Sequence, residues 1–374
     1  MNNHGVFPQR AIALLCAIVL TSISIVCTGC GEHGENSQKW VPQTRTAPMP
    51  TTGQLPTHFQ FVEAKAMIDR KAVATKVRAL IAANDFDGLD KLAADLRRKE
   101  TIFPGGMWHL DRLYDFLVPS ERDTDQEWQQ RQSQLEAWER ARPDSITARV
   151  AQANTMLDYA WKGRTNKPSQ IVSQSQWKMF AERLDKARAI LKNAEKLKQK
   201  CPCWYRMMMT LGLGQGWDPK EMDRLLNDSV KSKPSYLTVY FRKAIYLLPR
   251  WSGQPGDWQK FAKESADRVG GLAGDKLYAR IIWNLQELAE DEFSEDFSSG
   301  ALSWETTKRG FHGIMADYAD DLGPPSEFCY LSVLAGDKKQ AKELFEKLGD
   351  RVMLGIWKTP EKFKQSRDWA FGAS

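Results

Sequence analysis

The chain has 374 residues, 42% of them hydrophobic and 27% charged, with 53 Lys and Arg against 47 Asp and Glu for a net charge of +6. The excess is mild and the two signs are interspersed, with no Lys/Arg block and no RNA-binding signature, which excludes nucleic acid as an expected partner.

Residues 1–29 read as a targeting segment. Arg10 is the only Lys or Arg before a mostly apolar run from Ala11 to Val26, and the run meets Cys27-Thr28-Gly29-Cys30, small residues immediately before a cysteine. The pattern resembles a bacterial lipoprotein signal, which implies cleavage before Cys30 and a diacylglycerol on its thiol. A residue other than Asp after the cysteine, here Gly31, resembles the pattern of lipoproteins sent on to the outer membrane. A short transmembrane anchor is the competing reading, but the run contains Thr21, Ser22 and Ser24 and falls short of the ~20 apolar residues a spanning helix needs. Once Cys30 is lipidated, Cys201, Cys203 and Cys329 remain. That odd number leaves at least one thiol unpaired within a monomer. Residues 30–58 shift to Pro, Thr, Gln and Gly, too poor in aliphatics to offset ordering entropy, and are expected to form a flexible tether.

From residue 59 to 374 the period is helical. Val73, Val77, Leu80 and Ile81 share one helix face. Asn84-Asp85-Phe86-Asp87-Gly88 breaks the pattern before Leu89, Leu92, Ala93 and Leu96 start the next helix. Thr124 and Glu127 form a capping box for a helix that carries Trp128, Leu135 and Trp138 and ends before Pro143. After a loop at Arg164 to Pro168 comes what reads as the longest helix, with Trp177, Phe180, Leu184, Ala187, Leu191 and Ala194 at spacings of three and four. Asp218-Pro219 marks another start, and Asp337 caps a helix bearing Ala341, Leu344, Phe345 and Leu348. Strand and hairpin signals are nearly absent, so the domain is predicted to be all-α.

Pro143, Pro202 and Pro234 each follow a charged helix end, and each precedes an aromatic-rich helix and a tryptophan, Trp161, Trp217 and Trp251. The spacing is too irregular for a strict array, but a proline closing one helix before small and large residues open the next resembles tetratricopeptide repeats, as does Ala335–Leu348. A single globular core stops growing at about 250–300 residues, whereas stacked helix pairs add core repeat by repeat. The predicted fold class is therefore all-α, an irregular tetratricopeptide-like solenoid of antiparallel helix pairs. Gly105-Gly106-Met107-Trp108-His109-Leu110, Ala160-Trp161 with Gly163-Arg164, and Leu247-Leu248-Pro249-Arg250-Trp251-Ser252-Gly253 with Phe261-Ala262 resemble an uncharacterised bacterial family, a domain of unknown function with such helices. The resemblance spans roughly Phe86 to Trp357 and implies a fold, not an activity.

Chemistry-bearing motifs are scarce. His33, His58, His109 and His312 are isolated, no HExxH or Cys-x-x-Cys pair occurs, and Cys201-Pro-Cys203 reads as two half-buried helix-start residues. No Gly-x-Ser-x-Gly is present. Gly212-x-Gly214-x-Gly216 and Gly270-Gly271 read as tight turns between helices, and Asp291-Glu292 and Asp320-Asp321 as solvated charge at helix ends. Glu264-Ser265 resembles the acidic start of lytic transglycosylases, but their Gly-rich Met-Gln pattern is missing, so a cell-envelope hydrolase stays a remote alternative. No catalytic residue, metal ligand or cofactor is assigned. Trp217, Trp251 and Trp258 flank Gly and Pro turns, where a ring can offer a face; with Arg250 and Arg164 they are the candidate binding residues. The competing reading is that Pro249-Arg250-Trp251 locks a corner between helices, with the ring packed inward and the guanidinium bonded to carbonyl ends. The function expected is that of a lipid-anchored envelope protein, held to the membrane through Cys30, that binds a protein partner through its concave face. The alternative is a glycan-binding outer-membrane lipoprotein.

Overall fold

Local signals set the helix ends. In the structure, a computed structural model that describes residues 59–165 and 171–372, Thr124 and Glu127 form the capping box, Asp218 caps a helix with Pro219 in its first turn, and Asp337 accepts from the Gln340 amide. The predicted signal segment, Cys30 and the tether lie outside the described residues.

Sixteen α-helices and two two-residue strands result among the described residues. After β1 (Gln60–Phe61), α1 (Lys65–Ala82), α3 (His109–Leu117), α5 (Ile146–Arg164), α7 (Cys203–Gln215), α9 (Thr238–Tyr246), α11 (Gly271–Ser299) and α13 (Gly323–Leu334) each pack on the next and form an inner layer. An outer layer consists of α2 (Phe86–Lys99), α4 (Asp125–Ala141), α6 (Gln174–Glu195), α8 (Pro219–Ser232), α10 (Asp257–Val269), α12 (Trp304–Asp317) and α14 (Lys338–Leu348). Then come β2 (Arg351–Val352), α15 (Leu354–Trp357) and α16 (Pro360–Phe371). The two layers differ in sequence for a physical reason. Outer helices such as α8 bury one stripe, Met222, Leu225, Leu226 and Ser229, whereas α3, α5, α7, α9 and α13 are buried over most of their circumference. The all-α, paired-helix architecture is thus as the sequence predicts.

Three local features differ from expectation. The longest helix is α11, which bends at Ala289 (φ −138°, ψ 25°). Asp291 and Glu292 lie within its helical backbone and not at an end. Gly212 and Gly214 lie inside α7 and only Gly216 ends it; a Cβ at Gly212 would stand 2.8 Å from Met222 Sδ, and one at Gly214 2.9 Å from Leu184 Cδ1. Those glycines buy close helix packing, not a turn.

The row of helices also closes on itself. β1 pairs in parallel with β2, the Gln60 amide donating to Asp350 O (2.9 Å) and the Val62 amide to Val352 O (3.0 Å). Phe59 meets Phe363 edge-on at 5.4 Å. The Ala66 amide donates to Asp321 Oδ2 (2.9 Å), so Asp321, expected to be solvated, is buried at the seam between the first and last inner helices. The seven inner helices therefore form a ring. The segment between α2 and α3 crosses it: Arg280 Nε donates to Pro104 O (2.9 Å), Asn284 to Gly105 O (3.1 Å) and the Tyr318 hydroxyl to Ile102 O (2.8 Å). Gly106, at φ +94°, lies where a Cβ would strike Phe241 at 2.8 Å.

Candidate functional site

The corner at Leu247–Trp258 is built from backbone. The Trp251 amide donates to Leu248 O (2.8 Å) and the Ser252 amide to Tyr246 O (3.1 Å). A Cβ on Gly253 would lie 1.8 Å from Leu247 O, so only glycine fits. Arg250 Nη1 donates to Leu288 O (2.8 Å), the carbonyl beside the bend in α11. The half-buried Trp251 ring stands edge-on to Trp161 at 5.7 Å. Arg164 is 2% exposed, its guanidinium 4.9 Å from the Trp177 ring centre and 5.7 Å from that of Trp161. Two segments far apart in sequence, Trp161–Arg164 and Arg250–Trp251, thus meet in one aromatic cluster. Trp258 does not join them: it is 0% exposed and stacked on Phe293 at 5.8 Å, a core residue with no open face. Trp217, half-buried, bonds Gln215 through Nε1 (3.0 Å), receives the Tyr246 hydroxyl on its carbonyl (2.6 Å), and lies 5.4 Å beneath Arg188.

The stronger constellation is one that sequence reasoning missed. Five inner helices carry charged side chains into one interior network, Arg70 (α1), Arg112 and Asp115 (α3), Asp158 (α5), Arg206 (α7) and Arg242 (α9), while Arg280 (α11) and Glu327 (α13) act on each other apart from it. At its centre Arg206, 3% exposed, reaches Asp111 Oδ1 with Nε (3.1 Å) and Asp115 Oδ1 with Nη1 (2.9 Å). Arg112 Nη1 holds the other Asp115 oxygen (3.0 Å). Asp111 accepts further bonds from the Trp108 amide (3.1 Å), the Tyr236 hydroxyl (2.6 Å) and Thr238 Oγ1 (3.0 Å), so its burial is compensated.

Charge balance is what distinguishes this network. Burial works against ionisation of Asp115, yet Arg206 and Arg112 hold its carboxyl below the usual carboxylate range. Asp158 goes the other way, pushed up to about 7 by burial and then by the Asp115 carboxylate. Glu327 is pushed up to about 8 by burial and by Asp321. Burial and the neighbouring Arg112 bring Arg70 down to about 9, the response of a guanidinium crowded by like charge. At neutral pH four arginines, Arg70, Arg112, Arg206 and Arg242, therefore share this interior with Asp111, Asp115 and a half-ionised Asp158. A Cβ at Gly105, in the segment crossing the ring, would meet nothing within 4 Å, so open space adjoins this segment beside Arg280 and Asn284 of α11.

No group of three or more His, Cys, Asp and Glu is placed to hold a metal ion among the described residues, and no helix there is long and apolar enough to cross a membrane. Fold and site together define the class: a two-layer all-α ring with a charged, arginine-rich interior. Within it, residues 73–213 match a domain of unknown function, DUF4034. The match covers Gly105–Leu110 and Ala160–Arg164 and stops short of Leu247–Gly253, the element on which the resemblance in sequence rests most heavily. No curated protein and no solved structure matches the chain.

Proposed function

We propose that the chain is a lipid-anchored cell-envelope protein, tethered through Cys30, whose helical ring binds an acidic, extended segment of a partner protein and performs no catalysis of its own. The observation that carries this reading is Arg242 on an inner helix, brought below its ordinary value by burial and by the neighbouring Arg206 guanidinium. An anionic ligand relieves that crowding of like charge, and arginine forks suit carboxylates. Closure of the ring favours a chain segment over the surface of a folded domain. The tetratricopeptide likeness and the lipoprotein-like N-terminus support the same role, with outer-membrane placement following from Gly31.

Partner capture from detergent-solubilised envelope tests it. Wild-type protein is expected to retain an acidic partner that Arg242→Glu and Arg70→Gln both lose at unchanged melting temperature; equal retention by both variants overturns the reading. Cys30→Ser is expected to abolish acylation, and wild-type protein lacking acyl mass would contradict the anchor. A second reading, glycan binding at the outer membrane, draws on Trp217, whose half-exposed ring lies beside Arg188. It predicts loss of polysaccharide retention in Trp217→Ala with an unchanged melting temperature.

A further inference from the structure

Cys201 and Cys203 both end up buried, at 3% and 0% exposure, where the sequence suggests half-burial. One residue separates them, and Pro202 (φ −61°, ψ −30°) is in the helical region as it starts α7. That turn holds the flanking Cα atoms about 5.5 Å apart, inside the range of about 4.4–6.8 Å that a disulfide spans.

The two thiols have unequal surroundings. Cys201 Sγ lies 3.3 Å from the Tyr114 hydroxyl, and Arg97 Nη1 donates to that same hydroxyl (3.4 Å) and to Thr147 Oγ1 (3.1 Å). Cys203 Sγ donates to Asp111 Oδ1 (3.5 Å). Arg97 also lines an open pocket of about 560 Å³ together with Asp90, Lys91, Arg142, Asp144 and Gln199, the last only two residues before Cys201. One thiol thus lies behind the Arg97 side of a pocket of mixed charge and the other against a carboxylate.

We propose that Cys201 and Cys203 are a redox-active dithiol that reacts, by way of the Arg97 pocket, with organic disulfides. Cys201 is the attacking sulfur. Burial opposes its ionisation, but the Cys203 thiol, the Arg97 guanidinium and the Tyr114 hydroxyl bring it down to about 6. Cys203 is pushed well up by burial and by its neighbour, and stays protonated until needed.

In the first step the Cys201 thiolate attacks one sulfur of the external disulfide. An S–S bond forms to Cys201, the external S–S bond breaks, and one thiolate leaves and takes up a proton. In the second step Cys203 releases its proton toward Asp111 and attacks Cys201 Sγ, expelling the second external thiolate. Two protein thiols are oxidised to a disulfide and one external disulfide is reduced to two thiols, with no other reactant. Cys329 is no part of this: it is buried in α13, its Sγ against Ala341 O at 3.8 Å.

The test is intact-mass and peptide mapping of the purified full chain incubated with oxidised glutathione in native buffer. The expected product lacks two hydrogens, maps to Cys201–Cys203 and leaves Cys329 a free thiol. Cys203→Ser should stall as a mixed disulfide of glutathione on Cys201, and Arg97→Gln should slow the first step about tenfold at pH 7, since thiolate fraction falls as the thiol returns toward its ordinary value of about 8.5. No reaction under native conditions, or reaction only once denaturant unfolds the chain, overturns the proposal. The wild-type measurement stands without any variant, so misfolding of Cys203→Ser leaves it decisive.

Discussion

Replacing Arg206 by Met isolates the contribution of the interior charge network. Arg206 is 3% exposed and joins two buried carboxylates, Asp111 at 3.1 Å and Asp115 at 2.9 Å. Methionine fills most of the stem volume but removes the fork. Asp111 keeps four donors, from Trp108, Tyr236, Thr238 and Cys203, whereas Asp115 keeps Arg112. Breaking a buried pair costs about 3–5 kcal/mol, and the donors left on Asp111 place this case near the lower end, at about 3 kcal/mol at pH 7. The sign of the pH dependence follows from Asp115. Its folded value is depressed, so its stabilisation is complete above the unfolded carboxylate value of about 3.9 and is lost as pH falls through the folded value. Wild type and variant should therefore begin to converge below about pH 4 and meet only once the pH is under the folded value. Guanidinium denaturation monitored by tryptophan fluorescence measures the difference, and Arg206→Lys, which keeps charge without the fork, should recover only part of it. A loss under about 1 kcal/mol at pH 7, or one that stays constant however far the pH is lowered below about 4, would falsify the view that Arg206 ties these carboxylates together.

Three further outcomes follow from the same geometry. Asp158 has a folded value of about 7, above its unfolded one, so the folded state holds the extra proton and stability falls as pH rises from about 4 to 7; Asp158→Asn should flatten a slope of up to about 4 kcal/mol, read from denaturation midpoints across that window. Gly253→Ala forces a Cβ against Leu247 O and should cost about 3 kcal/mol or more, with a matching fall in melting temperature; a neutral result contradicts the corner geometry. Trp258→Ala should cost about 3–5 kcal/mol as a fully buried ring, while half-exposed Trp217→Ala costs less, and calorimetry of the pair decides whether the two tryptophans differ in kind.

Much of the helical framework is legible in sequence because caps and apolar stripes are local. Thr124 with Glu127, Asp218 with Pro219, and the Ala341–Leu348 stripe need only neighbours within a turn or two to be recognised. Inner helices are harder to read: α7 is apolar nearly all round, and its Gly212 and Gly214 serve contacts with Met222 and Leu184 that no local pattern announces. Ring closure is long-range in the same sense, since nothing near Gln60 points to Arg351. The interior network escapes for a related reason. Arg70, Asp115, Asp158, Arg206 and Arg242 each look like one more charge on a helix, and only the packing of α1, α3, α5, α7 and α9 brings them together. Trp258 misleads in the opposite direction, because a tryptophan beside Gly and Pro turns reads as a surface ring when its own helix, α10, turns it into the core. Arg164 and Trp251 lie between these cases: they do converge, as residues of one cluster around Trp161.

The most direct test of inner-face binding is a photo-crosslinking amino acid placed at Gly105, where open space adjoins inner helix α11, compared with one at Lys260 on outer helix α10. In intact cell envelope, the Gly105 probe should capture one dominant protein through an acidic segment, and the Lys260 probe should not. Capture of the same protein from Lys260 alone, with Gly105 silent, would contradict the account.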